Sequence, residues 1–195
     1  MKATIIYAHP NPKSFNHAIK DTVENNLKRK DITYTTRDLY KLNFEPVLKP
    51  EDFIAIQKGD YLPDVKQEQN HIKNSDTLII IHPIWWYSMP AILKGYIDRV
   101  FAKGFAYAQI NGQIKGLLEN KKVLIFNTLG ESKEVCEKNQ ICQCIRKTID
   151  SIFEFCGMEV LEHKFFFSVP YVTDSQRKEM LKEVETILDT YFPQK

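Results

Sequence analysis

The chain has 195 residues, which suits one α/β domain and is short for two; a chain of this length buries about 70% of its unfolded surface and needs no metal or disulfide to hold it together. Hydrophobic residues make up 43% and charged residues 27%, an ordinary globular composition. The 27 Lys+Arg against 25 Asp+Glu leave a net charge of +2, which excludes a basic field for nucleic acid and an acidic tail.

Ala3–Ala8 (ATIIYA) reads as a buried strand, and its position argues against a secretory leader. Phe15–Arg29 has helical character, and Ile32–Leu39, rich in Thr and Tyr, reads as a second strand. Asn43–Leu62 reads as irregular, broken by Pro46 and Pro50. A polar helix is expected over Pro63–Asn74, then an apolar strand over Thr77–His82 that carries the run LIII. Pro90–Phe101 predicts a helix with Leu93, Tyr96, Ile97 and Val100 on one face, and Gly95 inside it implies close packing against a neighbour. Phe101–Ile114 reads as an aromatic loop punctuated by glycine. Lys121–Asn127 (KVLIF at its heart) is the fourth strand, Glu134–Cys156 contains one long helix, and Glu159–Ser168 is the fifth strand. Asp174–Tyr191 closes with a helix whose stripe is Leu181, Val184, Leu188 and Tyr191. No apolar run approaches a membrane span, so no membrane insertion is expected.

Strands alternating with helices predict right-handed βαβ units and a parallel sheet covered on both faces. Five such strands fit an α/β fold with a doubly wound, five-stranded parallel sheet in the flavodoxin-like order 2-1-3-4-5, formed by residues 1–195 as a single domain. In that order a ligand crevice lies where the winding reverses, at the carboxyl ends of the first and third strands.

The loops at that edge carry unusual residues. After the first strand comes His9-Pro10-Asn11-Pro12-Lys13-Ser14-Phe15-Asn16, with Ser14 placed as an N-cap and the free first-turn amides behind it suited to a phosphate. A capped helix without a ligand explains the same residues equally well. Neither a dinucleotide glycine fingerprint nor a Walker lysine motif is present. After the third strand comes His82-Pro83-Ile84-Trp85-Trp86-Tyr87-Ser88-Met89-Pro90, which holds both tryptophans of the chain. A stiff aromatic loop at a crevice suits a flat apolar ligand such as an isoalloxazine; the plainer reading puts one of the two indoles in the core or a subunit contact. Pro90 belongs in the first turn of the next helix with Ser88 as a candidate cap, and Lys94 with Asp98 reads as a solvated pair. Tyr107 offers a hydroxyl near the ring, or simply packs. After the fourth strand Asn127-Thr128-Leu129-Gly130-Glu131-Ser132 again joins amide, hydroxyl and glycine. Cys136, Cys142 and Cys144 cluster as C-x5-C-x-C, which is not a zinc-finger spacing, and are read with Cys156 as reduced thiols.

These loops together resemble the flavodoxin-like NAD(P)H:quinone oxidoreductase family: the DT-diaphorases, their short bacterial relatives and the ancillary reductases of potassium-efflux systems. The resemblance rests on Ala8-His9-Pro10, on Ser14-Phe15-Asn16, on HPIWWYSMPAILKGYIDRVFAKGFAY from His82 to Tyr107, and on FCGMEVLEHKFF near Phe155–Phe166. It implies a flavin whose phosphate and ribityl chain lie against His9, Ser14, Phe15 and Asn16. The isoalloxazine would contact Pro83, Ile84, Trp85, Trp86 and Tyr87 on one side and Asn127, Thr128, Leu129 and Gly130 on the other. Tyr107 matches a tyrosine that reaches over the ring from the partner subunit of a homodimer and orients the acceptor. The family's tyrosine and histidine after the fourth strand have no counterpart in Glu131–Gln140, and the long C-terminal extension of the mammalian members is missing, which favours FMN over FAD.

The expected activity is two-electron reduction of a quinone, or a similar flat electron-poor molecule, by NADH or NADPH in a ping-pong cycle in the cytoplasm. Alternatives are a flavin-binding regulatory subunit of a potassium-efflux system, a nitro- or azo-compound reductase, and an electron carrier; the near-neutral charge argues against the last.

Overall fold

A computed structural model describes residues 1–193. Five parallel strands, β1 (Lys2–Tyr7), β2 (Thr33–Asp38), β3 (Thr77–Pro83), β6 (Lys122–Thr128) and β7 (Glu159–Phe166), form one sheet in the order β2-β1-β3-β6-β7. This is the doubly wound order expected from the alternation of elements. The alternation of side chains along β3 divides the interior. Ile79 and Ile81 join Ile19, Val23 and Leu27 of α1 (Phe15–Arg29) and Val184 and Leu188 of α7 (Asp174–Tyr191). Leu78 and Ile80 face the other way, toward Ile72 of α3 (Pro63–Lys73), Leu93, Tyr96 and Val100 of α4 (Ala91–Val100), and Ile145, Ile149 and Phe153 of α6 (Ile141–Phe155). A period of two places one apolar set on each face, so both faces need helical cover.

The segment read as irregular contains a helix, α2 (Pro50–Gln57). Pro50 starts it, because a missing N–H is harmless in a first turn. The helix is anchored from outside its own sequence: buried Arg99 of α4 reaches Asp52 at 3.0 Å and Asp64 at 2.6 Å and donates to the Glu45 carbonyl at 2.8 Å. Nearby, a β-carbon added to Gly95 would lie 2.1 Å from the Pro46 carbonyl oxygen, the close packing that the glycine implied.

Two further elements differ from expectation. The aromatic loop after α4 ends in a hairpin, β4 (Tyr107–Ile110) and β5 (Gln113–Gly116), turned by Asn111 and Gly112 at φ 54° and 82°. Asn-Gly is the preferred pair for this tight turn. The expected long helix is two, α5 (Lys133–Lys138) and α6, separated at Gln140, whose φ is 57°. Cys136 and Cys142 are joined there by a disulfide with their Cα atoms 5.5 Å apart. The reading of all four cysteines as reduced thiols is therefore corrected: Cys144 and Cys156 are free, and burial raises the Cys156 thiol to about 11. Among the described residues no helix is long and apolar enough to cross a membrane.

Candidate active site

The carboxyl ends of β1, β3 and β6 bring three loops together. After β1 the chain is pinned by local bonds: the Asn11 amide donates to His9 Nδ1 at 3.0 Å, and the Lys13 amide to Asn11 Oδ1 at 2.8 Å. Ser14 caps α1 by accepting from the His17 amide at 3.1 Å. Because His9 Nδ1 accepts, the ring proton lies on Nε2; burial holds its pKa below the usual histidine value, so the ring is a neutral donor. The amides of Phe15 and Asn16 have no hydrogen-bond partner among the described residues, as expected of a first turn. Asn16 is buried, donates from Nδ2 to Thr128 Oγ1 at 2.7 Å, and leaves Oδ1 without a partner among the described residues. The phenol oxygen of Tyr7 and Nδ1 of His17 are buried and unpartnered as well. Natural interiors rarely leave such groups unsatisfied.

The aromatic loop has a defined geometry. Trp85 and Ser88 exchange two backbone bonds of 2.9 and 3.0 Å, and between them Trp86 and Tyr87 take φ of 49° and 60°. Two successive positive φ values are the pattern of a type I′ turn, whose usual occupants are Asn and Gly. Aromatic residues held there are strained, and strain of this kind concentrates at binding sites. Among the described residues the Trp86 and Tyr87 amides have no partner, and both side chains lie outside the core, with Trp86 95% exposed. Trp85 is also exposed, so neither indole is a core residue in the single chain. Its ring lies 5.5 Å from that of His9, joining the first two loops.

The third loop closes the group. The Ile84 amide donates to the Thr128 carbonyl at 2.8 Å, and a cavity of 230 Å³ is lined by Ile84, Trp86, Tyr87, Leu129, Gly130 and Ile141 together with Glu131. Among the described residues nothing lies within 4 Å of the β-carbon position of Gly130, so its face is open. Pro83 ends β3 directly beneath this loop. The side chain of Asn127, in contrast, is fully buried and bonded to His82 and His163; only its backbone is left for a ligand. Tyr107 stands apart from the other candidates. Its ring is 5.2 Å from that of Phe155, on a groove of 430 Å³ shared with Ile97, Asp98, Phe101 and Ile152. No cavity of the single chain holds Tyr107 together with Trp86 or Gly130 among those described.

Neither Glu131 nor Ile141 was singled out from the sequence. Glu131 lines the cavity as the residue after Gly130, and Ile141 lines it at the start of α6, just past the kink at Gln140 and beside the Cys136–Cys142 bond. Ser88 does not cap α4; Pro90 takes that position without a side-chain bond. Lys94 and Asp98 form the expected exposed pair, at 2.6 Å.

The family described as having a flavodoxin-like fold matches residues 1–188. An uncharacterized NAD(P)H oxidoreductase of Haemophilus influenzae is 36% identical over 93% of this chain and 91% of its own length. The human ribosyldihydronicotinamide dehydrogenase [quinone] is 31% identical over 98% of this chain and 92% of its own. The solved structure of an NAD(P)H:quinone oxidoreductase from Methanothermobacter marburgensis superposes with a TM-score of 0.85 at 28% identity, covering 98% of this chain and 97% of that one.

Proposed function

Since the chain belongs to the flavodoxin-like-fold NAD(P)H:quinone oxidoreductases, we propose that residues 1–195 act as one flavin-binding domain that reduces quinones with NADH or NADPH, donor and acceptor entering the same cavity in turn. The observation that carries this reading is the cluster of unsatisfied donors and acceptors at one sheet edge: the amides of Phe15, Asn16, Trp86 and Tyr87, with Asn16 Oδ1 among them.

These groups fit a flavin. Ser14, Phe15 and Asn16 would hold its phosphate and ribityl hydroxyls, with the His9 Nε2–H as a further donor. Pro83, Ile84, Trp85, Trp86 and Tyr87 would flank the ring on one side and the Asn127–Gly130 backbone on the other. A bound flavin would supply the hydride chemistry, taking it up from reduced nicotinamide and passing it to the acceptor. The chain's own part is geometric and electrostatic. The stiff turn orients the Trp86 and Tyr87 amides toward the site, where fixed donors stabilise developing negative charge without reorganising. The apolar walls of Ile84, Leu129 and Ile141 keep water from the reacting face.

FMN is the proposed cofactor. FAD is the second reading, favoured by a cleft of 600 Å³ that runs from Ser14 and Phe15 to Arg177 and Lys178, where two cations would meet a second phosphate. Tyr107 would act as the acceptor's hydrogen-bond donor only from the partner subunit of a homodimer, since it lies away from the cavity of its own chain. The exposed Trp86, Tyr87 and Phe155 supply apolar area for that interface. The proposed location is the cytoplasm.

Flavin-free protein titrated with FMN and with FAD, followed by desalting and release of the bound cofactor, tests the reading. Retention of at least one is expected, with parallel initial-rate lines when benzoquinone is varied at several NADH or NADPH concentrations. Retention of neither flavin overturns the site; intersecting lines overturn the shared cavity. A Ser14→Asp protein mixed with a Tyr107→Asp protein should regain activity if sites span two chains, and none if each site belongs to one chain.

A further inference from the structure

A buried polar chain runs across the carboxyl end of the sheet, on the face covered by α6. Asp150 Oδ1 of α6 lies 2.6 Å from His163 Nδ1 on β7. His163 Nε2 lies 2.6 Å from Asn127 Oδ1 on β6. Asn127 Nδ2 lies 3.0 Å from His82 Nε2 and 3.2 Å from the His82 carbonyl oxygen on β3. His82 Nδ1 ends the chain 2.9 Å from the Pro83 carbonyl oxygen. His82, Asn127 and His163 are buried, while Asp150 keeps partial access to solvent.

The donors and acceptors allow one arrangement. The His82 carbonyl accepts only, which turns the Asn127 amide nitrogen toward His82 and its oxygen toward His163. His163 must then donate from Nε2, and the contact of its Nδ1 with the Asp150 carboxylate holds one further proton between them. His82 must accept at Nε2, which places its single proton on Nδ1, facing the Pro83 carbonyl. Burial agrees with a neutral ring, holding His82 at about 4. The other charged groups near His163 are Arg146 on α6 and Glu162 beside it on β7; burial, helped by Arg146, holds the ring below the ordinary histidine value, with Asp150 and then Glu162 pulling the other way. An amide in the middle breaks any proton path, so the chain conducts nothing: it fixes directions. With Asn127 reversed, Nδ1 of His82 would present a lone pair to the Pro83 carbonyl, and the peptide that leads into Ile84 and the strained turn would have to move.

We propose that His163 is a positioning residue for the flavin site: oriented by Asp150, it holds the Asn127 amide in place through its oxygen, and so holds His82 and the Pro83 carbonyl at the root of the Ile84–Tyr87 loop. This rests on the reading of that loop as the flavin's seat, and the test separates the two. Imidazole nitrogen NMR of flavin-free, histidine-labelled protein reports the chain with no cofactor present. His82 is expected as the Nδ1–H tautomer in the wild type and in Asp150→Asn, whose amide can still donate to His163 Nδ1. In His163→Leu that tautomer is expected to persist, because the His82 and Pro83 carbonyls still accept, while the Asn127 side-chain amide, its oxygen now without a donor, is expected to lose its single position in amide NMR. FMN affinity of the folded protein is then expected to fall about tenfold in His163→Leu, the scale of one broken buried hydrogen bond, and to recover to within about threefold in His163→Gln, whose amide restores a donor to Asn127. Thermal melts of each variant show that folded protein is being compared; a purely structural role would lower the melting temperature and leave the affinity of folded protein unchanged. His82 found as the Nε2–H tautomer overturns the chain. The expected tautomer with equal FMN affinity in wild type and His163→Leu overturns the positioning role while leaving the flavin seat intact. If the wild type binds no flavin while NMR shows the chain, the flavin seat fails and the positioning role falls with it.

Discussion

Replacing Trp86 with Asn should make the flavin-free protein more stable and a poorer binder. Trp86 sits at φ 49° with 95% of its surface exposed. A bulky non-glycine residue in the left-handed region is strained by about 1–2 kcal/mol, whereas Asn adopts it readily. So little of the indole is buried that its removal forfeits only about 0.3 kcal/mol of hydrophobic stabilisation. The balance is a gain of about 1 kcal/mol, which for a domain of this size raises the melting temperature by about 2–4 °C. The same substitution removes an aromatic wall from the cavity, and loss of one aromatic contact should weaken FMN binding by about three- to tenfold. Differential scanning fluorimetry without flavin and a fluorescence titration with FMN measure the two effects on one preparation. A lower melting temperature for Trp86→Asn would show that the turn stores no strain. Unchanged FMN affinity would remove the turn from the binding site.

Gly95→Ala should lose about 3 kcal/mol in urea unfolding, because the added methyl meets the Pro46 carbonyl oxygen at 2.1 Å and backbone on both sides leaves little room to yield. Opening the Cys136–Cys142 bond should lower the unfolding free energy by on the order of 2 kcal/mol, the loop-closure value for so short a ring. Denatured protein should accordingly show two thiols before reduction, from Cys144 and Cys156, and four after it. His82 should make the fold acid-sensitive. Its folded pKa of about 4 lies below the ordinary histidine value of 6.5, so the unfolded chain binds the extra proton as pH falls. Its contribution is therefore present above about pH 6.5 and is lost progressively toward pH 4, amounting to about 2 kcal/mol between pH 7 and pH 5. Urea midpoints at the two pH values, compared with His82→Phe, should show a flatter dependence in the variant; equal slopes would mean that His82 is solvated.

The sheet was legible because apolar runs such as LIII in β3 and KVLIF through β6 are short, unbroken and bounded by polar loops, a pattern that only doubly covered strands satisfy. α1 was legible through its capping residue Ser14, and α7 through its apolar stripe of Leu181, Val184, Leu188 and Tyr191. α2 was hidden because Pro50 punctuates a loop and starts a helix equally well, and the partner that stabilises it, Arg99, is distant in sequence. The hairpin was marked by Asn111-Gly112 and was masked by the aromatic character of the residues before it. At the candidate site the loop identities were readable, since Trp85, Trp86 and Tyr87 are out of place in an ordinary connection. The polar chain from Asp150 to Pro83 was not. Its members come from four separate elements, each looks like a single polar residue in an apolar segment, and only the strand register brings His82 opposite Asn127. The break at Gln140 has the same origin, a cross-link between two residues that helical periodicity places on one continuous element.

The β4–β5 hairpin is held at one end and free at the other. A side chain at Gly116 would run into the Cys156–Gly157 backbone at 2.3 Å, so the base of the ribbon is wedged against the end of α6, while at the tip nothing among the described residues lies within 4 Å of a β-carbon placed on Gly112. A ribbon mounted this way is tolerant of changes in length at its tip and intolerant of them at its root. Peptide inserted between Asn111 and Gly112 would extend into solvent with the sheet, both cores and the three loops undisturbed. That makes the hairpin tip a natural place to graft an affinity tag, a reporter fluorophore or a docking sequence onto this oxidoreductase.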